Sequence, residues 1–256
     1  MILYSWNVNG LRAAAKKPGF LDFFFRPDID LLGLQEVRSL PDQLPPELAS
    51  PKGYHVSLVN HLTRKGYSGV GVYSRLQPLA TRLELPDPKW AQEGRLIHLE
   101  LEKFHFLTVY FPNGQKDETR LNYKLGFYEA FFDYCQELRK TKPIVACGDF
   151  NTAHRPIDLA EPEANENNSG FLPVERAFLD RYIAAGYVDV FRLKNGDIPG
   201  QYSWWSYRSF DRKRNLGWRI DYFFVSEELK DNVTRAWLEP QITASDHCPV
   251  GLELTF

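Results

Sequence analysis

The sequence predicts a single α/β domain over residues 1–256, with many strands at its centre and a few helices on the outside. Short apolar runs bounded by Gly, Pro or polar residues recur along the chain, and amphipathic stretches interrupt them. No Gly-, Ser- or Pro-rich linker, low-complexity tract or fixed-period repeat divides it. At 43% hydrophobic and 25% charged over 256 residues, the composition supports one large core or two modest domains.

Residues 2–6 read as a strand that ends in Asn7-Val8-Asn9-Gly10-Leu11-Arg12. Pro18 to Arg26 offers a short apolar helix closed by Pro27, and Ile29 to Leu34 a buried strand that ends in Gln35-Glu36. A Pro-rich loop covers 41–51. Tyr54 to Leu58 and Gly69 to Tyr73 look like strands joined by a basic turn at 63–66. Arg95 to Glu102 and Phe104 to Tyr110 suggest a tight hairpin with only Lys103 between the strands, followed by Phe111-Pro112-Asn113-Gly114.

Residues 117–140 carry the clearest helical pattern, with Leu121, Leu125, Tyr128, Phe131, Phe132 and Leu138 near one face. That helix feeds the apolar run 143–147, whose carboxyl end switches abruptly to Gly148-Asp149-Phe150-Asn151. If the chain stays extended there, Asp149 and Asn151 share one face and Phe150 takes the other. Such a pair can hold a phosphate oxygen or an attacking water. A turn after a core strand would show the same residue types.

A polar loop at 165–170 leads to a helix from about Pro173, ended by Gly186. Strands are expected over Arg219 to Val225, over Val233 to Leu238 and after Ser245-Asp246-His247-Cys248-Pro249. Polar groups therefore recur at strand ends, in Asn7 and Asn9, in Glu36, and in Asp149 and Asn151. Recurrence of that kind points to one shared rim.

Several function classes are excluded or disfavoured. No apolar stretch approaches the roughly 18 residues of a membrane span, and no basic-then-apolar leader precedes the first strand, so a cytoplasmic protein without a membrane partner is expected. Cys135, Cys147 and Cys248 suggest neither a disulfide framework nor zinc; reduced core thiols are the expectation. A serine triad lacks its Gly-x-Ser-x-Gly elbow, and no Gly-rich nucleotide loop is present. A Cys248–His247 dyad is disfavoured because adjacent strand residues face opposite sides.

The net charge of −2 gives no general attraction to a polyanion. One window differs. Arg208, Arg212, Lys213, Arg214 and Arg219 stand against the single acid Asp211, interleaved with Trp204, Trp205, Tyr207, Phe210 and Trp218. Cations mixed with aromatics are expected where phosphates are neutralised and bases or sugars are stacked.

Two further groupings carry chemistry. His247 needs an orienting carboxylate that its neighbour Asp246 cannot supply along a strand, and Asp221, inside an aromatic run, needs a partner to be buried. Paired, they would yield an imidazolium for electrostatic stabilisation, whereas a neutral His would serve as base. Glu36, with Asn9, Asp246 and Asp149, offers hard oxygens suited to Mg²⁺.

Six motifs occur in order: Trp6-Asn7-Val8-Asn9-Gly10-Leu11-Arg12, Leu34-Gln35-Glu36, Tyr110-Phe111-Pro112-Asn113-Gly114, Gly148-Asp149-Phe150-Asn151, Gly217-Trp218-Arg219-Ile220-Asp221-Tyr222 and Ser245-Asp246-His247-Cys248-Pro249. Together they resemble the exonuclease III family of apurinic/apyrimidinic (AP) endonucleases, and the resemblance spans nearly the whole chain. It implies a four-layered α/β sandwich, two mixed β-sheets packed face to face and flanked by helices. It also implies Mg²⁺-assisted hydrolysis, with Mn²⁺ as a substitute, of the phosphodiester 5′ to an abasic site, leaving a 3′-hydroxyl and a 5′-deoxyribose phosphate. The partner would be double-stranded DNA with abasic sites or damaged 3′ ends, and the protein a monomer.

By the same resemblance, Glu36 is the metal ligand with Asn9 and Asp246 near it. Asn7, Tyr110, Asn151 and His247 position and polarise the phosphate, Asp149 aligns or deprotonates the attacking water, and Asp221 partners His247. Asn113, Lys116, Asn165, Asn168 and Arg208 contact DNA, while Trp204, Trp218 and Ile220 line a pocket for the extruded sugar. Some members carry Asp where Asn9 stands, and an amide is the weaker oxygen donor. Two alternatives share these residues: a 3′–5′ exonuclease or 3′-phosphodiesterase or phosphatase with weak AP cleavage, and a non-catalytic DNA-binding module.

Overall fold

The computed structural model describes residues 1–207 and 211–256. One sheet contains β1 (Ile2–Asn7), β2 (Leu31–Gln35), β3 (His55–Val59), β4 (Val70–Ser74), β11 (Val233–Leu238) and β12 (Val250–Leu254), in spatial order β11-β12-β1-β2-β4-β3. The other contains β5 (Ala80–Arg82), β6 (Leu96–Glu100), β7 (His105–Tyr110), β8 (Ile144–Asp149), β9 (Tyr187–Asp189) and β10 (Asp221–Ser226), in order β5-β6-β7-β8-β10-β9. Both are mixed, since β1 runs parallel to β2 and β7 parallel to β8 while their other pairings are antiparallel. The described helices are α1 (Leu11–Ala14), α2 (Phe20–Phe24), α3 (Pro46–Ala49), α4 (Glu118–Arg139), α5 (Pro162–Asn165), α6 (Pro173–Ala184), α7 (Val190–Asn195) and α8 (Asp211–Arg214). Among the described residues, no helix is long and apolar enough to cross a membrane.

Period-2 alternation sorts the side chains into layers. Leu3 and Leu31 meet Phe106, Val145, Cys147, Phe223 and Val225 between the sheets. Tyr4, Trp6, Leu32 and Leu34 face outward onto Phe20, Phe23, Phe24 and Leu48 of α2 and α3. On the far side, Leu107, Val109, Ala146, Tyr222 and Phe224 pack on Phe127, Phe131, Phe178 and Tyr182 of α4 and α6. The expected four-layered sandwich follows. The three cysteines are buried and free.

The same alternation places the polar residues. The inward rows run Leu3-Ser5-Asn7 on β1, Phe106-Thr108-Tyr110 on β7 and Val145-Cys147-Asp149 on β8, so each ends in a polar group at its carboxyl end. Between them, the Gln35 amide donates to Ser5 Oγ at 3.0 Å and Thr108 Oγ1 at 2.9 Å, which satisfies polar atoms inside the core. Tyr110 is the register partner of Asp149 across β7–β8, and Asp221 that of Asp149 across β8–β10.

Several local expectations are corrected. The hairpin turn takes residues 101–104 rather than Lys103 alone, because Leu101 and Phe104 fold into the core between the sheets. On α4 the buried stripe is Lys124, Phe127, Tyr128, Phe131, Tyr134 and Cys135, whereas Leu121, Leu125, Phe132 and Leu138 are only half-buried. The strands expected at 29–34 and 219–225 begin and end later, and the loop at 41–51 contains α3. β5, β9 and α7 are additional elements, short enough to leave little periodic signal.

Candidate active site

β8 stops at Asp149, so residues 149–151 do not continue extended. Asn151 takes a left-handed conformation with φ 51°, and its backbone N–H donates to Asp149 Oδ1 at 2.8 Å. This Asx turn, rather than a pleated strand, brings the carboxylate and the amide to the same cleft. Asn9, Glu36 and Arg38 also have positive φ, at 47°, 53° and 52°. Backbone strain is concentrated where the polar strand ends meet.

The cleft has a volume of about 930 Å³ and is lined by Asn9, Glu36, Tyr110, Asp149, Asn151 and His247 at its floor. Asn113, Asn165, Asn168, Trp204, Trp218, Ile220 and Asp246 also line it. Asn7 is fully buried beneath, where its Nδ2 donates to Glu36 Oε1 and to Asp149 Oδ2, both at 2.9 Å. Asn7 therefore reaches the carboxylates rather than the cleft surface. Lys116 projects outside this lining, with an 83% exposed side chain 3.5 Å from Asp117. Arg208 lies outside the described residues, as does Phe210. His154 is also away from the cleft, bonded to Asp180 at 2.7 Å.

Asp221 and His247 form the expected pair. His247 Nδ1 lies 2.8 Å from Asp221 Oδ2, and its Nε2 lies 4.0 Å from Asp149 Oδ2. Ser203 Oγ donates to the same Asp221 oxygen at 2.6 Å, and the indole of Trp6 donates to the His247 carbonyl at 3.1 Å. Burial alone would push the imidazolium down. Asp221, helped by Asp149 and Asp246, outweighs it and raises the His247 pKa to about 10. Asp149 is raised to about 7, by burial first and then by Asp221 and Glu36. Burial, with Glu36 beside it, also holds the Tyr110 phenol well above its ordinary value, so it remains a donor.

Asn9 and Asp246 engage each other: Asn9 Nδ2 donates to Asp246 Oδ1 at 2.9 Å, and Trp204 Nε1 donates to Oδ2 at 3.2 Å. Despite its burial, Asp246 is held below the usual carboxylate range by His247 and by these bonds. Atoms of Glu36, Asp149 and His247 lie within 4.8 Å of one another, close enough to share an ion. An imidazolium cannot ligate, so the carboxylates of Glu36 and Asp149 are the donors suited to a hard cation. Arg38 also contacts Glu36.

Beside this floor, Trp204 and Trp218 stand edge to face at 6.4 Å and pack with Ile220, Ala153, Leu159 and Phe171. Two guanidinium groups of the basic window are committed to the fold among the described residues. Arg212 donates to the carbonyls of Ser245, Pro240 and Ile242 at 2.7–2.8 Å and lies over Trp205, itself buried. Arg219 is buried against Asp158 and Asp189, each at 2.8 Å. Charge along a sequence does not show which guanidinium groups hold the fold. Sequence reasoning also missed Ser203, Arg38, Lys124 and Glu175, whose residue types are ordinary in their local context.

The family model described as Endonuclease/Exonuclease/phosphatase matches residues 4–247. The chain is 45% identical over 252 residues to an exodeoxyribonuclease of Bacillus subtilis (strain 168), covering 98% of each. It is 36% identical over 255 residues to the DNA repair nuclease APEX1 of Danio rerio, covering 99% of this chain and 82% of the relative. Among solved structures, a 3′–5′ exonuclease from Neisseria meningitidis superposes with a TM-score of 0.90 at 27% identity, covering 100% of both chains.

Proposed function

The chain belongs to the endonuclease/exonuclease/phosphatase family, and we propose that this exonuclease III-type nuclease cleaves double-stranded DNA on the 5′ side of abasic sites. The observation that carries the reading is the convergence of Asp149, the Asp221–His247 pair and Glu36 on one floor, beside the apolar wall of Trp204, Trp218 and Ile220. A flipped sugar without a base suits such a wall, and an unpaired, unstacked nucleotide costs least to extrude.

Asp149 takes a proton from water, whose oxygen bonds to phosphorus as the bond to the 3′ oxygen breaks, and the departing 3′ oxygen takes up a proton from solvent. The products are a 3′-hydroxyl and a 5′-deoxyribose phosphate. The His247 imidazolium and the Tyr110 phenol donate to phosphoryl oxygens as negative charge builds, and Asn151 adds an amide from the same turn. Asp221 fixes the ring and keeps it charged. Asn7 holds Glu36 and Asp149 at a common distance, one N–H for each, leaving both carboxylates with acceptor capacity for a divalent cation. In this reading the cation is Mg²⁺, replaceable by Mn²⁺, and it supplies Lewis-acid stabilisation of the phosphate.

Trimming or repair of 3′ ends is the second reading, because the same floor serves a terminal phosphodiester and a solved neighbour is a 3′–5′ exonuclease. A non-catalytic DNA-binding module gives no role to a buried Asp221–His247 pair. A synthetic abasic duplex compared with a recessed 3′-end duplex separates the readings. Incision 5′ to the abasic site is expected; active end trimming with negligible incision would overturn the first reading.

A further inference from the structure

Lys124 and Glu175 are both fully buried, with Nζ 2.6 Å from Oε1. A buried ion pair seldom repays its desolvation, and well-packed apolar residues commonly stabilise as well or better. The partners of this pair suggest a different use. Lys124 Nζ also donates to the carbonyl of Asn151 at 2.7 Å, in the turn that carries the Asp149 and Asn151 side chains. Glu175 accepts from Ser169 Oγ at 2.7 Å and from the backbone N–H groups of Gly170 and Leu172 at 2.6 and 3.1 Å.

The segment so held borders the apolar wall. A Cβ added at Gly170 would stand 3.2 Å from the Trp218 ring and 3.3 Å from the Asn151 carbonyl. Phe171 meets Trp218 edge to face at 6.5 Å, and the Gly170 carbonyl accepts from Ala153 N–H at 2.8 Å. Asn165 and Asn168 lie just upstream on the same cleft rim.

We propose that the Lys124–Glu175 pair is a positioning device that locks the segment 169–172, and with it the wall at Trp218, to the catalytic turn, and so sets preference for abasic sites over 3′ ends. The preference rests on the function proposed above; the mechanical coupling does not.

The test uses Lys124→Met and the double variant Lys124→Met/Glu175→Gln, which leaves no unpaired buried charge if the single variant fails to fold. Amide hydrogen exchange reads the coupling. Lys124 touches neither the Gly170 nor the Leu172 amide, yet both should exchange about tenfold faster or more in folded Lys124→Met; in the double variant, where Glu175 itself is altered, the Ala153 amide that donates to the Gly170 carbonyl should do the same, as local opening becomes easier. Steady-state kinetics on abasic and recessed 3′-end duplexes read the preference. In the double variant the abasic-to-3′-end ratio of kcat/KM should fall about tenfold, since small misplacements near a reacting centre cost that much or more. Unchanged exchange at 170 and 172 in Lys124→Met, or at 153 in the double variant, would overturn the coupling. Equal loss of both activities would overturn the role in preference. A wild-type protein that leaves abasic duplex uncut would instead count against the proposed function, while the exchange result still decides the coupling.

Discussion

Asp221 holds His247 from behind, Oδ2 to Nδ1 at 2.8 Å, so that Nε2 is left for the cleft. The pair fixes both the orientation and the charge of the ring. With its pKa raised to about 10, His247 stays cationic across the neutral range. In Asp221→Asn the ring should titrate nearer its ordinary value, and incision at pH 8 should fall by about 10³- to 10⁴-fold, as when the carboxylate behind a catalytic His is lost. Partial recovery near pH 6, read from a pH–rate profile, is expected. The stability linked to the raised pKa is fully present below about 6.5, the unfolded value, and is lost as pH rises through about 10. Thermal melts of the variant should lack that alkaline loss.

Asp149 sets the acid side. Its pKa without a cation, raised to about 7 by burial and then by Asp221 and Glu36, means that activity should rise with pH along a limb at or below that value. For stability the sign is the reverse of an ordinary Asp: the contribution is full below the unfolded value and is lost as pH rises through about 7. A divalent cation at Glu36 and Asp149 favours the carboxylate, so raising its concentration should move the acid limb to lower pH. Single-turnover incision at two cation concentrations measures the shift, and a limb that stays in place contradicts the assignment.

Glu36→Gln should weaken binding of Mn²⁺ to the protein alone by at least about tenfold, the loss typical of disturbing even an outer partner of a metal site. Calorimetric titration without DNA gives the affinity directly. Unchanged affinity would remove Glu36 from the donor set.

Gly148 brings Asp149 into place at φ 141°, where an added Cβ would overlap the Val109 carbonyl oxygen and stand 2.8 Å from its carbonyl carbon. Gly148→Ala therefore has to push β8 away from β7, and denaturant unfolding should show a loss of more than about 4 kcal/mol or no folded protein. Near-native stability would mean that the two strands separate easily there.

Much of this architecture was legible because two periodicities carry it. Strand alternation and strand-end chemistry pointed to Asn7, Glu36 and Asp149 on one rim, and a buried Asp221 together with an unpartnered His247 identified each other by need. The unread parts depend on contacts between distant segments. Lys124 looks like a surface charge on a long helix until Glu175 arrives from α6, and Arg212 and Arg219 look like DNA-facing cations until their carbonyl and carboxylate partners are placed. The turn at Asn151 stood as an open alternative to an extended strand end, because the same residue types suit both, and only the backbone decides between them.

The most direct measurement is the single-turnover incision rate of an abasic duplex by Asp149→Asn with Mg²⁺ and DNA both saturating, alongside the duplex Kd. The rate should fall roughly 10³-fold or more while Kd changes by less than about threefold, the pattern of a group acting on the transition state. Parallel loss of binding and rate, or retention of the rate, would contradict Asp149 as the residue that activates water.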